Sequence, residues 1–230
     1  DDKKAVVLLS GGLDSATTFA LAMKDNYYIF PLTIVYGQKH AWEINSAKKL
    51  VEFYGLKNHK IVNLDLSAFG GSALTDELEV PKNRSVNDME NDIPITYVPA
   101  RNTIFLSIAL AFAEARDVSS IFLGVNAIDY SGYPDCRPEF IKAFESVANL
   151  GTKMGIEGTK INIHTPLIHM KKHEIIKTGI ALGVDYSLTH SCYDPSDDGI
   201  SCGTCDACTL RLKGFHDAGL HDLLNYQNEL

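Results

Sequence analysis

The chain has 230 residues, of which 45% are hydrophobic, and a formal net charge of −8 at pH 7. This suffices for one sizeable core, whereas the acidic balance, with a pI near 5.4, is opposite to that of a typical nucleic-acid-binding protein. No apolar run approaches the ~20 residues that a membrane span needs, and no secretory signal is visible, so we expect a soluble, cytoplasmic protein.

The first predicted strand, Ala5–Leu9, leads into Ser-Gly-Gly-Leu-Asp-Ser at residues 10–15 and then into a predicted helix, Ser15–Lys24. Glycines let the backbone approach an anion closely, and a helix start offers free N–H groups. The lysine of a Walker-type loop is missing. The segment instead resembles the loop of the PP-loop ATP pyrophosphatases, in which S-G-G-x-D-S binds the terminal pyrophosphate of ATP. An ordinary glycine-rich turn is the alternative.

Asp14 is unusual in a phosphate loop, because a carboxylate repels phosphates unless a cation lies between them. Magnesium, with its preference for hard oxygen ligands, is the expected cation. We therefore predict a site for ATP with Mg²⁺, in which Asp14 and Ser15 are catalytic and Asp14 serves the metal rather than the core.

The later elements alternate between strand-like and helix-like patterns, which indicates an α/β fold with a doubly wound, mostly parallel sheet. In chain order we predict strand Ile29–Tyr36, helix Trp42–Tyr54, strand His59–Leu64, helix Arg101–Arg116, strand Ser120–Val125, helix Glu139–Leu150, strand Ile161–His164 and helix Lys171–Leu182. Residues 66–98 break the alternation with glycines, prolines and mixed charges, so we interpret them as an irregular insertion or a lid.

In doubly wound sheets, ligands lie beyond the carboxyl ends of the strands where the strand order reverses. The phosphate loop, the end of the second strand and Gly124 are expected to converge there, with backbone near Val35 and Gly124 around the adenosine. The predicted ATP-binding residues are Leu9, Ser10, Gly11, Gly12, Leu13, Asp14, Ser15, Ala16, Thr17, Thr18, Val35 and Gly124.

Two further segments carry polar residues suited to a planar heterocyclic acid. Residues 97–102 place a cation and an amide at the start of a helix, where Arg101 would neutralise a carboxylate or the α-phosphate bidentately. Residues 124–140 contain tyrosines that could stack on the ring, and carboxylates, of which Asp135 could equally be a helix cap. Cys136 is either a small buried hydrophobe or a pocket residue. The predicted substrate-binding residues are Arg101, Asn102, Asp129, Tyr133 and Asp135, and Arg101 is also predicted to be catalytic.

Four cysteines, Cys192, Cys202, Cys205 and Cys208, follow one another with nine, two and two residues between them. Paired C-x-x-C steps bring thiolates onto one tetrahedral Zn²⁺, with Zn–S bonds of about 2.3 Å. We predict one structural zinc per chain in a C-terminal region, residues 187–230, appended to a catalytic domain of residues 1–186. A disulfide pair and a redox motif are the alternatives, and His190 could replace one sulfur.

The C-terminal region is acidic. From residue 186 to residue 230 there are two basic and seven acidic residues, a net charge of −5. A phosphate backbone would be repelled, so we expect no direct binding of nucleic acid and a small substrate.

Taken in order, the loop, V-P-A-R-N at residues 98–102, D-Y-S-G-Y-P-D-C-R at residues 129–137 and the cysteines strongly resemble the 7-cyano-7-deazaguanine synthase family over nearly the whole chain. Where that family usually has Cys-Glu-Thr, this chain has Asn126, Ala127 and Ile128. The resemblance implies a homodimeric C–N ligase whose substrates are ATP, ammonia and 7-carboxy-7-deazaguanine. It further implies adenylation of the carboxylate, amide formation and dehydration of the amide to a nitrile.

Two alternatives remain open from the sequence. Another PP-loop ligase or a tRNA-thiolating enzyme would share the loop, although a thiolase needs a sulfur-carrying cysteine pair and only Cys136 lies outside the predicted zinc set. The second alternative is a nucleotide-binding module without catalytic activity.

Overall fold

A five-stranded, all-parallel sheet forms the centre of the computed structural model, which describes residues 3–85, 89, 93–128 and 132–227. The strands are β1 (Lys4–Leu8), β2 (Tyr28–Val35), β3 (Lys60–Asn63), β4 (Ser120–Phe122) and β5 (Asn162–His164). Their order is β3-β2-β1-β4-β5. Because this order runs outward from β1 in both directions, the predicted doubly wound class is confirmed.

Helices cover both faces of the sheet. Within the described residues the α-helices are α1 (Leu13–Lys24), α2 (Trp42–Phe53), α3 (Arg101–Glu114), α4 (Pro138–Gly151), α5 (Lys153–Ile156), α6 (Lys172–Ala181) and α7 (Asp206–Ala218). All predicted strands and helices are present with small differences at their ends. The largest difference is at β4, which ends at Phe122 rather than Val125. Helices α5 and α7 lie outside the predicted elements.

Strand β1 is buried on both faces, as its continuous apolar run requires. Val6 and Leu8 join the core beneath α3, and Ala5 and Val7 join the core beneath α1. The strand therefore holds the loop that follows it against two packed cores, and this fixes the position of residues 10–15.

Gly11 allows helix α2 to approach this loop. The residue has a φ of 95°, and a Cβ on it would lie 2.0 Å from the carbonyl oxygen of Glu43 and 2.7 Å from the amide nitrogen of Ala47. Only glycine fits so close to another backbone. As a result, the first turn of α2 is pressed against the loop, and Glu43 lies beside the same edge of the sheet.

The C-terminal region packs on the sheet domain through Arg211 of α7. Its guanidinium pairs with Asp222 at 2.5 Å and donates to the Thr189 hydroxyl at 2.7 Å and to the Tyr186 carbonyl at 3.0 Å. The His190 amide donates to the Gly11 carbonyl at 2.9 Å. This region is therefore joined directly to the loop. No helix of the described ranges is both long enough and apolar enough to cross a membrane.

The described residues of the 66–98 segment pack against the cysteine region. Lys82 forms an isolated antiparallel bridge with Cys205, and the Arg84 guanidinium contacts the Asp206 carboxylate at 2.8 Å. The segment thus connects α3 to the C-terminal region. That it acts as a lid, and that the chain divides at residue 186, remain predictions.

Candidate functional site

A cleft opens at the carboxyl ends of β1, β2 and β4, with about 190 Å³ open to water-sized molecules. It lies where the strand order reverses between β1 and β4, the usual ligand position in this architecture. Leu9 after β1, Tyr36 after β2 and Gly124 after β4 line the cleft. The three segments that were expected to converge therefore do so.

Two serine hydroxyls hold the glycine loop in shape. Ser10 Oγ lies 3.1 Å from Ser15 Oγ and accepts from the Gly12 amide at 3.2 Å, while Ser15 Oγ accepts from the Gly11 amide at 3.2 Å. Helix α1 begins at Leu13 directly behind the loop. Its first amides have no intrahelical acceptor and its dipole is positive at this end, so the loop can bind an anion.

Asp14 is held by a lysine that sequence analysis did not identify. Lys172, the first residue of α6, places its Nζ 2.8 Å from Asp14 Oδ1 and 2.9 Å from Oδ2. Lys172 is only 7% exposed, and both side chains line the cleft. The cleft thus contains the cation that the loop itself lacks, 158 residues further along the chain. This ion pair fixes the Asp14 carboxylate without a metal ion.

Arg101 lines the same cleft from the start of α3. The preceding residue, Ala100, adopts a left-handed conformation with φ 54°, which is costly for a residue with a side chain. Within the described ranges no carboxylate forms an ion pair with Arg101. Its guanidinium lies 5.8 Å from the centre of the Tyr36 ring, and burial raises the pKa of Tyr36 to about 12. The phenol therefore stays neutral beside the guanidinium.

Asp135 caps α3 instead of lining the cleft. Its Oδ2 accepts from the Asn102 amide at 3.0 Å, and Asn102 Nδ2 donates to the Asp135 carbonyl at 3.2 Å. The predicted cap is therefore present, but at α3 rather than at α4. Asn102 and Cys136 do line the cleft. Burial raises the pKa of Cys136 to about 12, and the negative charge of Asp135 is the second cause of the rise. The thiol therefore stays protonated.

Tyr133 forms part of the cleft wall. It is 6% exposed, its hydroxyl is 2.8 Å from Thr96 Oγ1, and its ring centre is 5.8 Å from that of Tyr97. Asn126 also lines the cleft and accepts from the Ile128 amide at 2.8 Å. Its side chain therefore supports the loop after β4.

Most of the predicted site residues meet in the cleft. Those that line it are Leu9, Ser10, Gly12, Leu13, Asp14, Ser15, Arg101, Asn102, Gly124 and Tyr133. Those that do not are Gly11, Ala16, Thr17, Thr18, Val35 and Asp135. Asp129 lies outside the described residues.

The residues outside the cleft lining have contacts of their own. Thr17 and Thr18 lie one turn into α1, where the helix faces the core, and Thr17 Oγ1 donates to the Leu13 carbonyl and is 2.7 Å from the Tyr186 hydroxyl. Val35 does not line the cleft, although its neighbours Ile34 and Tyr36 do.

The four cysteines of the C-terminal region form one buried cluster whose sulfurs all lie within 4.8 Å of one another. His190 is not part of it. A tetrahedral ion with Zn–S bonds of about 2.3 Å needs sulfurs about 3.8 Å apart, which this arrangement approaches. Backbone amides also point at the sulfurs, for example Cys202 N to Cys192 Sγ at 3.2 Å and Cys205 N to Cys202 Sγ at 3.3 Å. The cluster can bind a metal ion.

The parallel sheet, its strand order and the S-G-G-L-D-S loop in the cleft together define a nucleotide-binding protein of the PP-loop class. The sequence profile described as "Queuosine biosynthesis protein QueC" matches residues 4–219. The chain belongs to this family, which confirms the resemblance drawn from the motifs.

Two curated relatives are named 7-cyano-7-deazaguanine synthase. The chain is 60% identical over 225 residues to the protein of Desulfatibacillum aliphaticivorans, covering 97% of both chains. It is 58% identical over 221 residues to that of Syntrophus aciditrophicus, covering 96% of both. A solved structure of NMN synthetase from Francisella tularensis has a TM-score of 0.50 and 17% identity, covering 98% of this chain and 90% of that one. At this identity the likeness shows the fold alone.

Proposed function

We propose that this chain converts 7-carboxy-7-deazaguanine, ammonia and ATP to 7-cyano-7-deazaguanine. The observation that carries the proposal is the cleft itself. The cleft contains an anion-binding loop, with the Asp14–Lys172 pair beside it, and an arginine that forms no ion pair with a carboxylate of the described residues. A nucleotide at one end and an acid at the other would place the carboxylate against the α-phosphate.

The first activation removes one oxygen of the acid. Arg101 holds the carboxylate, one of whose oxygens forms a bond to the α-phosphorus of ATP while the bond from that phosphorus to pyrophosphate breaks. Charge that develops on the leaving pyrophosphate is stabilised by the amides at the start of α1 and by Lys172. Ammonia then forms a C–N bond to the acyl carbon, and AMP leaves with the oxygen.

The second activation uses the same groups on the amide. The amide oxygen attacks the α-phosphorus of another ATP, pyrophosphate leaves again, and loss of two protons with AMP yields the C≡N bond. No protein nucleophile is needed, which agrees with the protonated thiol of Cys136. Release of AMP rather than ADP is favoured by the loop type.

Magnesium is proposed to arrive with ATP. Asp14 is the carboxylate next to the loop, a hard oxygen donor of the kind that Mg²⁺ prefers, but both of its oxygens already accept from Lys172. The nucleotide phosphates and water would therefore supply most of the ligands. Bound Mg²⁺ would neutralise phosphate charge.

Zinc is proposed for the four-cysteine cluster because thiolates in tetrahedral proximity suit it. A set of four thiolates leaves no open position for a substrate, so its role is structural. Asn102 and Tyr133 are proposed to contact the purine, together with Asp129. The predicted homodimer, the lack of nucleic-acid binding and the cytoplasmic location stay predictions.

The rival functions have less support. A thiolating enzyme needs a reactive cysteine outside the metal set, and the Cys136 thiol has a raised pKa. A non-catalytic module would have no use for a buried lysine beside the phosphate loop and, in the same cleft, an arginine without a carboxylate partner among the described residues.

The test follows product formation by mass spectrometry from the acid and from 7-amido-7-deazaguanine. Nitrile is expected from the acid only with ATP and ammonium, and from the amide with ATP alone. In R101A the KM for the acid should rise by about tenfold, because a charged hydrogen bond is lost.

The amide is the internal control in this experiment, since it carries no negative charge for Arg101 to pair with, and its KM should change much less. An enzyme inert toward both substrates would rule out the proposed function. Equal losses on acid and amide would remove the role of Arg101 in binding the carboxylate.

A further inference from the structure

A small side cavity adjoins the cleft at Glu43. Tyr36, Gln38, Glu43 and Tyr193 line both spaces, whereas His40 and His190 line only the side cavity. Its volume open to water-sized molecules is about 20 Å³, and about 10–15 Å³ suffices for one water. The side cavity thus has room for a molecule the size of water or ammonia and excludes the nucleotide and the purine.

Two polar groups facing this space have no partner within the described part of the protein. The Glu43 side chain makes no hydrogen bond or ion pair with any of the described residues, although it is half-buried. His190 is only 7% exposed, and its buried Nε2 has no hydrogen-bond partner among them. Leaving a buried polar atom such as His190 Nε2 unsatisfied is costly. Together with the half-buried Glu43 carboxylate, it points to a small ligand rich in hydrogen-bond donors.

The Gln38 side-chain oxygen is not a free acceptor for a ligand in the side cavity. Its Oε1 already accepts from the Tyr36 amide at 2.8 Å, which fixes the side chain at the boundary of the two spaces. Two acceptors that remain free in the side cavity, among the described residues, are the Glu43 carboxylate and, in its neutral form, the His190 ring. Together they favour a cation that donates N–H bonds.

The position of Glu43 relates this ligand to the reaction. Arg101, which is proposed to hold the substrate carboxylate, is the cation that acts electrostatically on Glu43. A molecule bound at Glu43 therefore lies within electrostatic range of the group that is proposed to hold the acid.

We propose that the side cavity binds ammonium and that Glu43 is the catalytic base that converts it to ammonia for attack on the acyl adenylate. The inference rests on the proposed function. One proton passes from NH₄⁺ to the Glu43 carboxylate, and the freed lone pair forms the C–N bond. The C–O bond to AMP then breaks, and the second proton lost from nitrogen leaves with AMP or to solvent.

The acidity of Glu43 suits this task. Burial raises its pKa to about 7, and Arg101 opposes the rise. Such a carboxylate accepts a proton from ammonium more readily than an exposed one, yet it is largely ionised above neutral pH. The other titratable or charged groups around it are Tyr36, Lys39, His40, Arg101, His190, Cys192 and Tyr193.

The central test uses E43Q with two nucleophiles. Ammonium must lose a proton before it attacks, whereas hydroxylamine is already neutral near pH 7 and gives a hydroxamate from the same adenylate. The ratio of ammonium-dependent to hydroxylamine-dependent product should fall by about 10²-fold in E43Q, the usual contribution of a positioned base. E52Q, on the exposed face of the same helix, is the matched control and should keep the wild-type ratio.

The outcomes separate the two proposals. If wild-type protein shows no acid-dependent exchange between ATP and pyrophosphate, the proposed function fails. If it does, and E43Q retains that exchange but loses ammonium use selectively, Glu43 is the base. Equal effects on both nucleophiles, or none, would overturn the role of Glu43 and leave water as the occupant of the side cavity.

A wild-type pH profile keeps the proposal testable even if E43Q does not fold. With Glu43 as base, kcat/KM for total ammonium should rise up to about pH 7 and then flatten as Glu43 becomes ionised. A profile that instead keeps rising in proportion to free ammonia would contradict a carboxylate base.

Discussion

Replacing Lys172 by methionine is expected to lower kcat by about 10³-fold, the upper range for removing one group that stabilises transition-state charge. Lys172 Nζ lies 2.8 Å from Asp14 in the cleft and is a cation next to the phosphate loop. Without it, charge on the leaving pyrophosphate would lose the stabilisation that this ammonium provides. Acid-dependent exchange of pyrophosphate into ATP measures this step directly.

The matched control is K177M, at an exposed position of the same helix α6. A melting curve is needed for K172M because Asp14 loses its partner, although the Asp14 side chain is 17% exposed and can be hydrated. Wild-type exchange in K172M would contradict a role in pyrophosphate release.

This ion pair also changes what is expected of Asp14. If the Asp14 carboxylate only bound a metal ion, its replacement by alanine would not lower the stability of the protein. In the structure, the same change removes the carboxylate that pairs with a nearly buried lysine, and breaking a buried pair typically costs about 3–5 kcal/mol. D14A is therefore expected to melt at lower temperature as well as to lose activity, so K172M is the cleaner probe of the phosphate end.

Loss of the metal from the cysteine cluster is expected to unfold the C-terminal region and abolish turnover. Structural zinc contributes about 10–16 kcal/mol of binding free energy in small sites, which matches or exceeds the whole stability of a typical domain. Since Ser191, Ala207 and Arg211 line the cleft, its shape depends on this region. Elemental analysis should give one zinc per chain in wild type and none in C205S.

C136S is the matched control, because Cys136 lies outside the cluster, and it should retain one zinc and the wild-type melting temperature. Iron in place of zinc would contradict the proposed metal. A metal-free protein with unchanged melting behaviour would contradict its structural role.

The fold was largely predictable from the sequence, because each strand and most helices have a recognisable pattern of apolar residues. Buried parallel strands produce continuous apolar runs, and the helices between them have their own periodicity, so the order of elements follows from the chain. The two helices outside the predicted elements have identifiable reasons. Helix α5 spans only Lys153–Ile156, too short for a period, and α7 begins at Asp206 between two cysteines whose spacing indicated a metal site.

The cleft was predictable only where its residues are consecutive. The loop at residues 10–15 carries its chemistry in its own sequence, whereas Lys172 meets Asp14 through the packing of α6 on α1. No local signal distinguishes this lysine from its neighbour Lys171. Glu43 did leave a signal, since it is in the first turn of a helix that follows the ligand edge of β2. The burial of Thr17 and Thr18 follows from helical phase.

The central claim is that one cleft activates the carboxylate and then the amide, each time as an adenylate. The most direct measurement supplies the acid with both carboxylate oxygens labelled with ¹⁸O and follows the label by mass spectrometry. The account predicts two AMP molecules for each nitrile formed, each carrying one labelled oxygen. Label in inorganic phosphate, or in water with unlabelled AMP, would contradict it.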